Sequence, residues 1–403
     1  MDVPGFVRLL KRQDLNSEVW WDSSPDLYTT FKSHTIGMFP ELRGLIENLL
    51  PSDFGNTAFG ISGATTNPRL IAQAVLENSE RWRDYIDLLP VSMSCADKAR
   101  RLYEQVIAQG ARQLHALWMS SQHRHGWLSA QIEGEMTEDA IVVRGLQLAA
   151  LAPNIMIKVP GSEPGYRAIE RLVALGCSIN NTLCFTVSQA AACLKAIRNG
   201  RRRAQTDGIS TEHARYVISF MIGRLGAEAE FQRQAAQQGP GLTADERRWA
   251  ELAVYQAIQA LLRRSSTPAR LLLCSLKLHT DGQGREQCWH LQRTGFDTTL
   301  YTMTPQIIEF LIRREQQRRP VRPATDWVQV PSKLMTRLMA IPYFHQAYFE
   351  GDLLPPEFVC HPAFVTASRD ARDGERRLLA FVEGRQNSAS RAPRSEAVME
   401  QLS

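Results

Sequence analysis

Ile155-Met156-Ile157-Lys158-Val159-Pro160, followed at once by Gly161-Ser162-Glu163-Pro164, is the stretch on which the fold turns. The apolar run Ile155 to Val159, broken by one Lys, reads as a short buried strand. Ser162-Glu163-Pro164 then places a proline early in a helix that continues through Tyr166, Ile169 and Leu172. The same cadence recurs on both sides. Val19 to Asp22, Phe59 to Thr65 and Gly126 to Ile132 read as earlier strands; Cys177 to Leu183, Tyr216 to Ile222, Leu271 to Ser275 and Thr299 to Met303 read as later ones. The stretches between are mostly helical by period and length, and Thr186-Val187-Ser188-Gln189 is a capping box ahead of the helix Ala190 to Ile197. Strand–helix alternation predicts an α/β fold with a parallel sheet. Eight strands predict a closed (β/α)8 barrel, with additional helices and a C-terminal extension. The alternation is firmer than the number eight, because a short apolar run can also be buried helix.

The barrel is expected to take residues 1–326, with Gln316 to Asp326, rich in Arg and Pro, marking its end. Residues 327–385 carry Tyr343, Phe344, Tyr348, Phe349, Phe358 and Phe364 and are expected to pack as helices on the barrel. Residues 386–403 are polar and are expected to form a disordered tail. No internal repeat occurs at a solenoid period.

Apolar residues make up 44% of the 403, enough for a sizeable core. A net charge of +5, from 47 Lys and Arg against 42 Asp and Glu, suits an enzyme that attracts anionic substrates and does not argue for nucleic acid. The run Arg201-Arg202-Arg203 has no aromatics interleaved with it and follows a helix end, where cations suit the dipole. Seven cysteines, an odd number with no CxxC, read as reduced thiols in a cytoplasmic protein. No membrane helix is expected, and no signal peptide. His123 and His125 lack a third ligand nearby, so no metal is expected.

The candidate chemistry gathers at strand ends, where barrels keep it. An ammonium buried in the strand Ile155 to Val159 is costly, and burial favours the neutral amine that attacks a carbonyl. The competing reading is that Lys158 snorkels to the strand edge. Gly63-Ala64-Thr65-Thr66-Asn67-Pro68 offers close backbone approach plus hydroxyl and amide groups for sugar hydroxyls, or else an ordinary strand–turn–helix junction. Asp22 is a general acid/base or a helix N-cap. Period-2 alternation puts Asn180 and Thr182 on one face, inward like Lys158, as ligand contacts or as satisfied core polar residues. Ser219 and Arg224 belong to the sixth strand end, and Lys277 follows the seventh. Two cations from adjacent strand ends could clamp a phosphate, or could be solvated loop charges.

Together these segments resemble the transaldolase family, from about Trp20 to about Met303. The residues that carry the resemblance are Gly63 to Pro68, Asn154 to Pro160 with Gly165 and Gly176, and Ser178 to Leu183. The resemblance implies a (β/α)8 barrel whose strand-four lysine forms a Schiff base with a ketose phosphate. A dihydroxyacetone unit would pass to an aldose phosphate, in carbohydrate metabolism of the pentose phosphate kind. It implies no cofactor and no metal, sugar-phosphate partners, and leaves a homodimer open. Carried over by position, Lys158 resembles the nucleophile and Asp22 the acid/base. Thr65 and Thr182 resemble residues near the water and the lysine; Asn67 and Asn180 resemble holders of the dihydroxyacetone unit; Ser219, Arg224 and Lys277 resemble the phosphate site.

Two positions depart from the pattern. Gln131 stands where transaldolases have a Glu that positions the catalytic water, and resembles in this the fructose-6-phosphate aldolases. Met221 stands where an aromatic is usual. Glu133, two residues on from Gln131, is expected to face inward at a different depth. The alternatives kept open are a Schiff-base aldolase that releases or uses free dihydroxyacetone, in specialised metabolism, and a sugar-phosphate-binding barrel without turnover.

Overall fold

The computed structural model describes residues 3–52, 60–281, 284–295 and 297–391. Eight strands run β1 Glu18–Asp22, β2 Ile61–Thr66, β3 Trp127–Gln131, β4 Ile155–Pro160, β5 Ile179–Cys184, β6 Tyr216–Phe220, β7 Ala269–Leu273 and β8 Thr299–Met303. Each pairs in parallel with its sequence neighbour, and β8 closes on β1. Helices follow the strands, so the predicted (β/α)8 barrel is the observed one. A two-residue hairpin, His279–Thr280 with Glu286–Gln287, interrupts the path from β7 to β8.

The expected strands agree with these to within two residues, except that Phe59 lies outside the described residues. The start of β5 at Ile179 rather than Cys177, and the end of β6 at Phe220 rather than Ile222, have local causes. Ser178 Oγ accepts from the Arg215 amide while its carbonyl accepts from the Ile157 amide at 2.9 Å, so the approach to β5 is held by a side chain on one edge and by backbone on the other. Met221, at φ −82° and ψ 65°, leaves extended geometry and opens a short helix, Ile222–Leu225.

Helix starts follow the local chemistry. Ser162 accepts from the Gly165 amide, Thr186 and Gln189 form the reciprocal box, and Asn67 accepts from the Leu70 amide at 3.0 Å. Beyond the barrel come helices Ser332–Met339, Pro342–Tyr348 and Pro362–Arg391. Tyr343 anchors this part, stacking on Phe231 at 4.9 Å and donating to the Leu225 carbonyl. The last helix reaches Arg391, so residues 386–391, expected as tail, are helical; 392–403 lie outside the described residues. No helix among the described residues is long and apolar enough to cross a membrane.

Candidate active site

Inside the barrel the side chains form layers, from the amino-terminal ends of the strands to the carboxyl-terminal mouth. The floor is ionic. Glu18 is fully buried and held by Arg215, by Arg270 at 3.4 Å and by His125 at 3.3 Å. The Arg215 guanidinium outweighs, with its neighbours, the burial that would otherwise raise this carboxyl, and holds it well below the usual range. Above it lies an apolar plug of Trp20, Trp127, Met156, Val217, Leu272 and Leu300, with Cys274 at its edge and Met221 packed against it. Gly63 is required here, because a Cβ would come within 2.6 Å of the Trp20 ring.

The plug carries a polar layer. Asn180 donates to Ser129 Oγ at 2.8 Å and accepts from Ser219 Oγ at 2.7 Å, so three strands lock one amide. Across the barrel, Thr65 Oγ1 donates to Asp22 Oδ1 at 2.8 Å and lies 2.5 Å from Thr302 Oγ1. Lys158 pairs in register with Gln131 on one side and Asn180 on the other, and all three are buried. Burial raises the Asp22 carboxyl above its usual range, while the Lys158 charge and the Thr65 hydrogen bond pull the other way. The Cys274 thiol is pushed up to about 12 by burial, with the Lys158 charge pulling the other way. A buried amine beside a carboxyl biased toward its protonated form can form and break carbonyl–nitrogen bonds and move protons next to them.

The predicted residues separate by depth. Lys158, Asp22, Thr65, Gln131, Asn180 and Ser219 meet inside the barrel. Thr182 follows Asn180 on β5 and is buried; its carbonyl accepts from the Gly161 amide, just before a bulge at Leu183, which has φ 51°. Met221 borders the apolar plug. Asn67 spends its Oδ1 on the helix cap and keeps its Nδ2 free of partners among the described residues. Arg224 and Lys277 line a separate cavity of about 460 Å³ at the mouth.

Glu133 does not face inward. β3 ends at Gln131, so alternation no longer governs it. Its carboxylate is gripped by Arg144, Nε at 2.8 Å, whose Nη1 also reaches Glu104 at 2.6 Å. Burial raises the Glu133 carboxyl, against the Arg144 charge.

Four residues were missed by the sequence reading. Ser129 and Thr302 complete the polar layer. Cys274, just past β7, belongs to the apolar plug beneath it, and Ser275, at φ 59°, lines the same cavity as Arg224 and Lys277. Extending the period-2 reading of Asn180 and Thr182 to Trp127–Gln131 and Leu271–Ser275 would have found Ser129 and Cys274.

The fold and this layer define a (β/α)8 barrel with a buried lysine and a carboxyl at its mouth. The chain belongs to the family described as Transaldolase/Fructose-6-phosphate aldolase, which it matches over residues 53–338. It is similar to "Transaldolase 1" of Streptomyces avermitilis, 29% identical over 184 residues, covering 44% of this chain and 48% of that protein. It is 31% identical to a "Transaldolase" of Thiobacillus denitrificans over 174 residues, 41% of this chain and 47% of the relative. A "Transaldolase" of Campylobacter jejuni is 29% identical over 195 residues, 45% and 58% of the two chains. The matched stretches span about half the length of these curated relatives. β1 with Asp22 and the Pro362–Arg391 helix lie outside the family match.

Proposed function

We propose that the protein transfers a dihydroxyacetone unit from a ketose phosphate, such as fructose 6-phosphate or sedoheptulose 7-phosphate, to an aldose phosphate through a Schiff base on Lys158. The neutral amine adds to the ketone carbonyl, and loss of water leaves an iminium. Asp22 takes the proton from the C4 hydroxyl. The C3–C4 bond then breaks, its electrons pass into the iminium, and the aldose phosphate departs as an aldehyde. The resulting enamine attacks the aldehyde carbon of the acceptor, Asp22 returns a proton to the new alkoxide, and water frees Lys158. Asn180, Ser129 and Ser219 are preorganised for the hydroxyls of the three-carbon unit, with Asn67 offering its free amide hydrogens from the helix cap after β2. The observation that carries this reading is the buried Lys158 within electrostatic reach of the half-buried, Thr65-bonded Asp22.

Gln131 favours a second reading. A glutamine beside Lys158 takes up no proton at neutral pH. Proton transfer through water at that position is therefore altered, and an aldolase that releases dihydroxyacetone becomes the competitor. The test starts with fructose 6-phosphate and borohydride. Intact mass and peptide mapping should place a stable adduct on Lys158 and none on the Lys158→Met variant. Absence of any adduct with ketose phosphates or dihydroxyacetone overturns both readings and leaves a binding barrel. Erythrose 4-phosphate is then added: sedoheptulose 7-phosphate supports transfer, and free dihydroxyacetone supports the aldolase.

A further inference from the structure

The mouth cavity holds a group that the phosphate reading does not anticipate. Asp370, on the helix Pro362–Arg391, places Oδ2 at 2.7 Å from Arg224 Nη2 and 2.9 Å from Arg69 Nη1. Arg69 stands in the first turn of the helix after β2, and Arg224 lies in the short helix after β6, so one carboxylate oxygen bridges cations from opposite parts of the mouth. The same cavity is lined by Ser275 and Lys277, and among the described residues Lys277 has no ion-pair partner. A bridged oxygen between two guanidinium groups is the geometry a phosphoryl oxygen would take.

Asp370 is seated firmly. One turn further along its helix, a Cβ on Gly374 would come within 2.3 Å of the Arg69 amide, so the helix backbone lies directly on the start of Pro68–Glu77. Glu375 then accepts from the Gly134 amide at 3.2 Å, fastening the helix to the loop after β3. The carboxylate is therefore part of the cavity wall, not a passing contact. Side chains there keep 26% (Arg224), 55% (Arg69) and 31% (Asp370) exposure, so the cations remain reachable.

We infer that Asp370 is a specificity-determining residue: a resident counter-ion on Arg224 and Arg69 that competes with the substrate phosphate and tilts the site toward donors of lower negative charge. A phosphate dianion must share Arg224 with a fixed carboxylate about one ion diameter away, and like charges at that separation repel. An unphosphorylated three-carbon ketone meets no such competitor. This inference rests on the proposed use of the cavity for phosphate.

The experiment compares wild type with Asp370→Asn and Asp370→Ala. The ratio of KM for fructose 6-phosphate to KM for fructose should fall about tenfold in both variants. Inorganic phosphate, titrated by calorimetry, should bind each variant about tenfold more tightly, independently of turnover. An unchanged or increased ratio together with unchanged or weaker phosphate binding overturns the inference, and assigns Asp370 to holding Arg224 in place. Borohydride trapping of dihydroxyacetone on Lys158 in the same proteins separates the two ideas: without an adduct the enzymatic reading fails, while the calorimetric test of Asp370 still stands.

Discussion

Arg144→Met tests whether Glu133 is structural. Arg144 lies on the helix Glu138–Ala149 with a nearly buried side chain and binds Glu133, Glu104 and Gln147. Removing one partner of a buried pair costs about 3–5 kcal/mol, because the remaining charge is left without compensation. Glu133 can escape part of this by taking up a proton. Burial already raises its carboxyl, and losing Arg144 raises it further. A raised folded-state pKa gives stability that is present below the unfolded value and lost as pH climbs through the folded one. The loss in Arg144→Met is therefore about 3–5 kcal/mol at pH 8 and clearly smaller at pH 5. Urea unfolding followed by tryptophan fluorescence at the two pH values measures it, and Arg144→Met/Glu133→Gln should recover most of the stability at pH 8. A loss below about 1 kcal/mol at pH 8, or the same loss at both pH values, refutes the reasoning. So does Glu133→Gln lowering kcat with stability intact, which would restore Glu133 to the proton path.

Gln131→Glu supplies a titratable group beside Lys158 and should shift products toward sedoheptulose 7-phosphate over free dihydroxyacetone; an unchanged ratio, measured by chromatography, counts against the role given to Gln131. Thr65→Val removes the hydrogen bond that favours the Asp22 carboxylate, worth about 1.5–3 kcal/mol for a charged acceptor, so kcat/KM should fall about ten- to hundredfold. Because that bond lowers the Asp22 pKa, its loss should move the acid limb of the pH–rate profile to higher pH, and a limb that stays put would separate Thr65 from Asp22. Glu375 is pushed up to about 7, chiefly by burial, so it should cost the wild type stability as pH rises from below the ordinary carboxylate range through about 7. Glu375→Gln should flatten that fall in melting experiments between pH 5 and 8, and an identical pH dependence in both proteins would dissociate Glu375 from it.

The barrel was legible because its signal is local. A strand such as Ile155–Pro160 must bury apolar side chains on its helix-facing side, and the helix after it begins with its own cap, so each unit declares itself within about twenty residues. The boundaries were less legible where a side chain joins the ladder or the backbone turns out of it, as at Ser178 and Met221. The helix Pro362–Arg391 was harder to place, because its seat depends on Gly374 meeting the backbone of a helix far away in the chain.

The site divides along the same line. Lys158, Asn180, Ser219 and Asp22 stand on strands, where the backbone aims each Cβ and period two decides which face it joins. Glu133 shows the limit of that rule, since parity predicts a direction only while the strand lasts, and β3 ends two residues before it. The cations obey something else. Arg224 reaches Asp370 and Arg144 reaches Glu133 and Glu104 through long flexible side chains, and each settles on whatever opposite charge the assembled helices bring within range. A strand residue is aimed by its own backbone and can be read from its neighbours. A guanidinium is aimed by the fold, which is why the positions of Lys158 and Asp22 were legible in the sequence and the Asp370 counter-ion on Arg224 was not.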